Sequence, residues 1–134
     1  MLRPADHRSI WGKIQEAVER AGLTHGVKLD ELLQECEQGS ALCLASDDGA
    51  VILTLIPKRD EAPTLWVELA VGWGEFGAFA RCWPEIETVA RDLECGAVEF
   101  RASRPGWARL ATGWQQRGDV FRKELQPWAA ETTM

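Results

Sequence analysis

The chain has 134 residues and a formal charge of −6, with 46% hydrophobic and 27% charged residues. That length and balance describe a folded domain with a core of its own and exclude a disordered or low-complexity chain. The acidic balance argues against a basic surface for nucleic acid, and no apolar run approaches the ~18 residues that cross a bilayer.

The opening stretch to Trp11 is charged and lacks the apolar segment of a signal peptide, so a cytoplasmic location is expected. From Ser9 to Ala21 the spacing of Ile10, Ile14, Ala17, Val18 and Ala21 predicts an amphipathic helix, with Gly22 as its stop. A second helix follows on Leu29, Leu32, Leu33 and Cys36, closed by Gly39. Ala41 to Ala45 and Ala50 to Ile56 read as strands joined at Asp48-Gly49, a strong hairpin pair. Pro57 is expected to end the second strand, Lys58 to Thr64 to form a loop, and Leu65 to Val71 to form a third strand.

The period then changes. Pro84 suits the first turn of a helix that carries Ile86, Val89, Ala90 and Leu93 and stops at Gly96. Phe76, Phe79 and Ala80 suggest that helical structure begins earlier, near Glu75, and bends at Trp83-Pro84. Ala97 to Ala102 alternates as a strand with one polar side, and Pro105 opens a helix through Trp107, Leu110, Ala111 and Trp114, closed by Gly118. Asp119 to Leu125 is the last strand, and residues 126–134 read as a flexible tail in which Trp128 can anchor. The order ααβββαβαβ predicts one α/β domain over residues 1–125. Its sheet is mixed and mostly antiparallel, with helices on both faces and parallel pairing where strand–helix–strand crossovers occur.

The cysteines Cys36, Cys43, Cys82 and Cys95 form no CxxC pair, and the two histidines both lie near the start, so no metal is expected and the thiols read as buried and reduced. Seven Trp stand against no Tyr. Trp107 and Trp114 fall on a core stripe. Trp11, Trp73 and Trp128 lie off the stripes and read either as interface anchors or as caps on the core. Residues 97–125 carry a net charge of +3 (Arg101, Arg104, Arg109, Arg117, Arg122 and Lys123 against Glu99, Asp119 and Glu124), leaving −9 elsewhere. Such a split can orient a partner, or it can be scattered solvated charge.

The element order, together with the string CGAVEFRASRPGWARLATGWQQRGDVFRKEL over residues 95–125, resembles the GNAT (Gcn5-related N-acetyltransferase) family across roughly Ser9 to Leu125. The resemblance implies a CoA pyrophosphate loop of the form R/Q-x-x-G-x-G/A at the start of the helix after the meander. Free backbone N–H groups, glycine and the helix dipole would hold the phosphates there. The matching window spells G-x-G-x-x-G at Gly72, Gly74 and Gly77, which out of context would suggest a dinucleotide site. It follows an antiparallel meander, however, and no second βαβ half is present. Aligning Gly72 and Gly74 with the family loop puts Leu69 where Arg or Gln belongs. Aligning Gly77 instead puts the ring of Phe79 at the last position, where it would block the phosphates, and Glu75 adds negative charge where phosphates would sit.

The resemblance also implies a Tyr acid and a Glu base. Tyr is absent, Glu68 is the candidate base or a solvated strand residue, and Ser103 is a substitute acid or a turn residue. The leading expectation is therefore a non-catalytic GNAT-like protein of the phage or prophage type, with no cofactor. It would act by protein–protein contact or self-association through Trp73, Arg104 and Trp128, as a virion or assembly component or an accessory factor. The alternatives are a divergent acyl-CoA N-acyltransferase using acetyl-CoA, with Gly72, Gly74 and Gly77 at the cofactor and Glu68 as base, and a small inhibitor of a host defence complex.

Overall fold

The computed structural model describes residues 2–20, 28–73, 83–101 and 113–125. Its elements are β1 (Arg3–Pro4), α1 (His7–Arg20), α2 (Leu29–Gln38), β2 (Leu42–Ser46), β3 (Gly49–Lys58), β4 (Glu61–Gly72), α3 (Trp83–Asp92), β5 (Ala97–Arg101), β6 (Gln115–Arg117) and β7 (Val120–Glu124). The sheet runs β1-β2-β3-β4-β5-β7-β6. It is the expected mixed, mostly antiparallel sheet, with β4·β5 parallel and β1·β2, β2·β3, β5·β7 and β6·β7 antiparallel. The short edge strands β1 and β6 were not expected. None of the described helices is long and apolar enough to cross a membrane. The chain divides into two compact units, Met1–Thr54 with Leu69–Cys82 and Leu55–Glu68 with Trp83–Met134.

In the first unit, α1 starts two residues before the predicted Ser9 because Asp6 caps it: its Oδ1 accepts the Arg8 N–H at 3.1 Å. Ile14, Ala17 and Val18 are buried as the spacing requires, and Trp11 is buried with them, so it is a core residue and not an exposed anchor. They pack with Leu32 of α2, Cys43 of β2, Ala50 and Ile52 of β3, and Leu69 and Val71 of β4. Gly39 ends α2 in the left-handed region (φ 80°). Its N–H donates to Cys36 O and the Ser40 N–H to Glu35 O, the paired bonds of a Schellman stop.

The β2–β3 turn sits one residue earlier than Asp48-Gly49 suggests. Ser46 pairs with Gly49, so Asp47 and Asp48 form the turn and Gly49 belongs to the strand. Ser46 Oγ accepts the Asp48 N–H and steadies that turn. The pairing of apolar Cys43 with Ile52 fixes the register more strongly than the Asp-Gly dipeptide does.

In the second unit the expected loop at Lys58 to Thr64 is a tight hairpin. Strand β3 continues through Pro57 to Lys58, and β4 begins at Glu61. Pairing with β2 covers β3 only from Gly49 to Leu53, so Pro57 interrupts no bond on that side. Asp60 takes the left-handed turn position (φ 60°), which Asp tolerates.

Helix α3 buries Trp83, Ile86 and Ala90, but Leu93, placed on the core stripe by spacing, is exposed. The helix stops at Glu94 (φ 59°), two residues before the expected Gly96, with Glu94 N–H on Arg91 O and Cys95 N–H on Ala90 O. Gly96 serves the sheet instead: a Cβ there would come within 3.3 Å of Ala62 Cβ, and its N–H donates to Pro63 O.

The aromatic centre of this unit joins α3, β5 and β7. Phe100 stacks on Phe121 (5.1 Å) and meets Trp83 edge-on (4.9 Å), while Trp114 touches Trp83 and Phe100. Trp114 thus belongs to an apolar cluster, but not on a helix. Gln115 and Gln116, assigned to the helix opened by Pro105, lie in β6, and Gly118 (φ 64°) turns the β6–β7 hairpin instead of closing a helix. That hairpin also explains why β5·β7 is antiparallel where a second crossover suggested parallel pairing: β6 runs with β5, and β7 returns between them.

Candidate functional site

The C-terminal end of β4 carries the residues on which the cofactor question turns. Leu69, which the alignment on Gly72 and Gly74 would put at the Arg or Gln position of the family loop, is 5% exposed and packed into the core with α1. A charged or amide side chain there would lie in an apolar cluster with its polar groups removed from water. Gly72 is the exposed last residue of β4, and Gly74 and Gly77 lie outside the described residues.

Trp73, the next residue, is bound to the Asp47–Asp48 turn. Its backbone N–H donates to Asp48 O at 2.8 Å and its indole Nε1–H to Asp47 O at 3.0 Å. Lys13 Nζ of α1 sits 5.6 Å from the centroid of its ring. The first N–H past the strand, a group that a phosphate cradle would direct at an anion, is therefore engaged by a carbonyl. The turn that engages it is also acidic. Trp73 itself remains partly exposed. The sequence named Trp73 and placed the turn one residue further on, at Asp48-Gly49, but nothing in it joined the two.

Glu68 is exposed on β4, one residue beyond Val67, the last position paired with β5. Arg104, Ser103, Trp107 and Trp128, the helix expected from Pro105 and the start expected near Glu75 all lie outside the described residues.

In the second unit a charged pair on β5 and β7 lies beside Trp66 and Thr64 of β4. Trp66 is registered with Glu99, and Glu99 with Arg122. Arg122 Nη1 binds Glu99 Oε1 and reaches Thr64 Oγ1 at 3.5 Å, and Nε binds Glu124 Oε1 at 2.8 Å. Hydrogen bonds, from Glu124 first and then Glu99, raise the pKa of the guanidinium further against the opposing pull of burial. Lys123 pairs with Glu87 of α3 at 2.7 Å and Arg101 with Asp119 at 3.4 Å. Three of the cations behind the +3 balance of residues 97–125 thus hold carboxylates of their own unit. The polar alternation of β5 signalled one side of the charged pair; Arg122 and Glu124 of β7 were counted in the charge split, but their pairing with β5 was not predicted.

Cys43 and Cys95 are buried and Cys36 partly so, all as free thiols. Burial raises the pKa of each. Among the described residues no three His, Cys, Asp or Glu side chains gather to hold a metal ion.

No protein-family model matches the sequence, and no curated protein does. The fold, by contrast, has many solved counterparts. A GNAT-family acetyltransferase from Listeria monocytogenes is 13% identical, with a TM-score of 0.64 over 93% of this chain and 94% of that one. A chain of the NatC complex, solved with Gag peptide and CoA, is 13% identical, with a TM-score of 0.69 over 94% and 98%. Aminoglycoside 6'-acetyltransferase type Ii is 10% identical, with a TM-score of 0.69 over 95% and 98%. At such identities the likeness is one of fold, and the fold of this chain is that of the GNAT acetyltransferases.

Proposed function

We propose that this chain uses an acetyltransferase fold without acetyl-CoA chemistry and works by binding another protein. The observation that carries this reading is the end of β4, where Leu69 is committed to the core and the Trp73 N–H to the acidic Asp47–Asp48 turn. The lack of Tyr removes the general acid that the family resemblance implies. Glu68 alone, exposed on β4, supplies no cradle for two phosphates.

A fixed, partly exposed indole fits the binding role, because an anchor already held by its own bonds loses little freedom when a partner covers it. Arg104 and Trp128 complete the anchor set of this reading. The setting proposed is a phage or prophage one, as a virion or assembly component, an accessory factor, or an inhibitor of a host defence complex. Neighbouring portal, capsid or tail genes would mark the first of these.

Calorimetric titration of the full chain with acetyl-CoA tests the proposal. No binding heat is expected, whereas a micromolar dissociation constant overturns the proposal in favour of an acyltransferase with Glu68 as base. In the same preparation, Trp128→Ala and Arg104→Ala are expected to weaken self-association or partner capture with the melting temperature unchanged. Association that survives both substitutions removes the anchor assignment.

A further inference from the structure

We draw no further inference here: the strongest candidate, the outer half of β3 from Leu55 to Lys58 with its exposed Leu55 and Ile56, carries nothing because nothing in the structure shows what covers it.

Discussion

Leu69 and Cys43 belong to one core cluster, and each makes a physical property of that cluster measurable. If the end of β4 had merely lost a phosphate ligand, Leu69→Arg would restore the family pattern and with it some affinity for acetyl-CoA. The burial of Leu69 predicts the opposite. The guanidinium would enter an apolar cluster without a carboxylate, lowering stability by about 3 kcal/mol or more. Denaturant unfolding reads that loss, and calorimetry should still register no acetyl-CoA binding; a stable variant that binds CoA would refute the assignment. Cys43 reports on the same cluster through pH. Burial, with Cys36 as a lesser influence, raises its thiol from 9.0 to about 11. Because the folded value lies above the unfolded one, this contribution to stability is complete below pH 9 and is lost as pH rises toward 11. The loss amounts to about 2–3 kcal/mol across that window. Urea unfolding should therefore show a steeper alkaline decline for the natural chain than for Cys43→Ala. The absence of Tyr keeps phenol ionisation out of that comparison. Equal slopes would place the thiol in water.

At the scale of single elements, the two helix stops make a controlled pair. Gly39 and Glu94 occupy the same left-handed position after α2 and α3, with the same pair of closing hydrogen bonds. Glycine adopts that conformation without the Cβ clash that costs other residues about 1–2 kcal/mol. Gly39→Ala should lower stability by about 1 kcal/mol and Glu94→Gly should raise it by up to about 1 kcal/mol. Thermal melts should move by about 3–4 °C in opposite directions; a Glu94→Gly variant that melts lower would mean that the Glu94 side chain matters more than its backbone. These stops also show where the sequence was legible. Periodicity located α1, α2 and α3 because burial of one face dictates it, and Gly39 marked its stop because glycine stood at the strained position. Glu94 left no such mark, so the end of α3 was assigned to Gly96, a glycine that lies close against Ala62 in the sheet. Pro57 misled in the same way, since a proline ends a strand only where its missing N–H faces a partner. The edge strands β1 and β6 are two and three residues long with no buried position, too short to leave a period. At the candidate site, residue identity alone showed Leu69 after the meander and the lack of Tyr. The site was illegible where it depended on contact, as with the Asp47–Asp48 turn closing on Trp73.

For the molecule as a whole, identities of 10–13% with the solved acetyltransferases mean that the fold is kept by a pattern of burial, which many sequences satisfy, while chemistry depends on a few residues that need not be kept. How that pattern is partitioned has a consequence for unfolding. The two compact units do not divide the chain between elements. Strand β3 passes from one to the other after Thr54, and β4 passes back after Glu68. Loss of either unit would cut both of these strands short in the other, so neither unit keeps its strands whole by itself. The chain should therefore unfold in one cooperative step. Hydrogen-exchange mass spectrometry across a urea series can follow β2 in the first unit and α3 with β5 in the second as separate peptides. Both should lose protection at the same urea concentration. If β2 opened while α3 and β5 stayed protected, the shared strands would not couple the units, and a binding role built on Trp73 would rest on a part of the chain that can melt by itself.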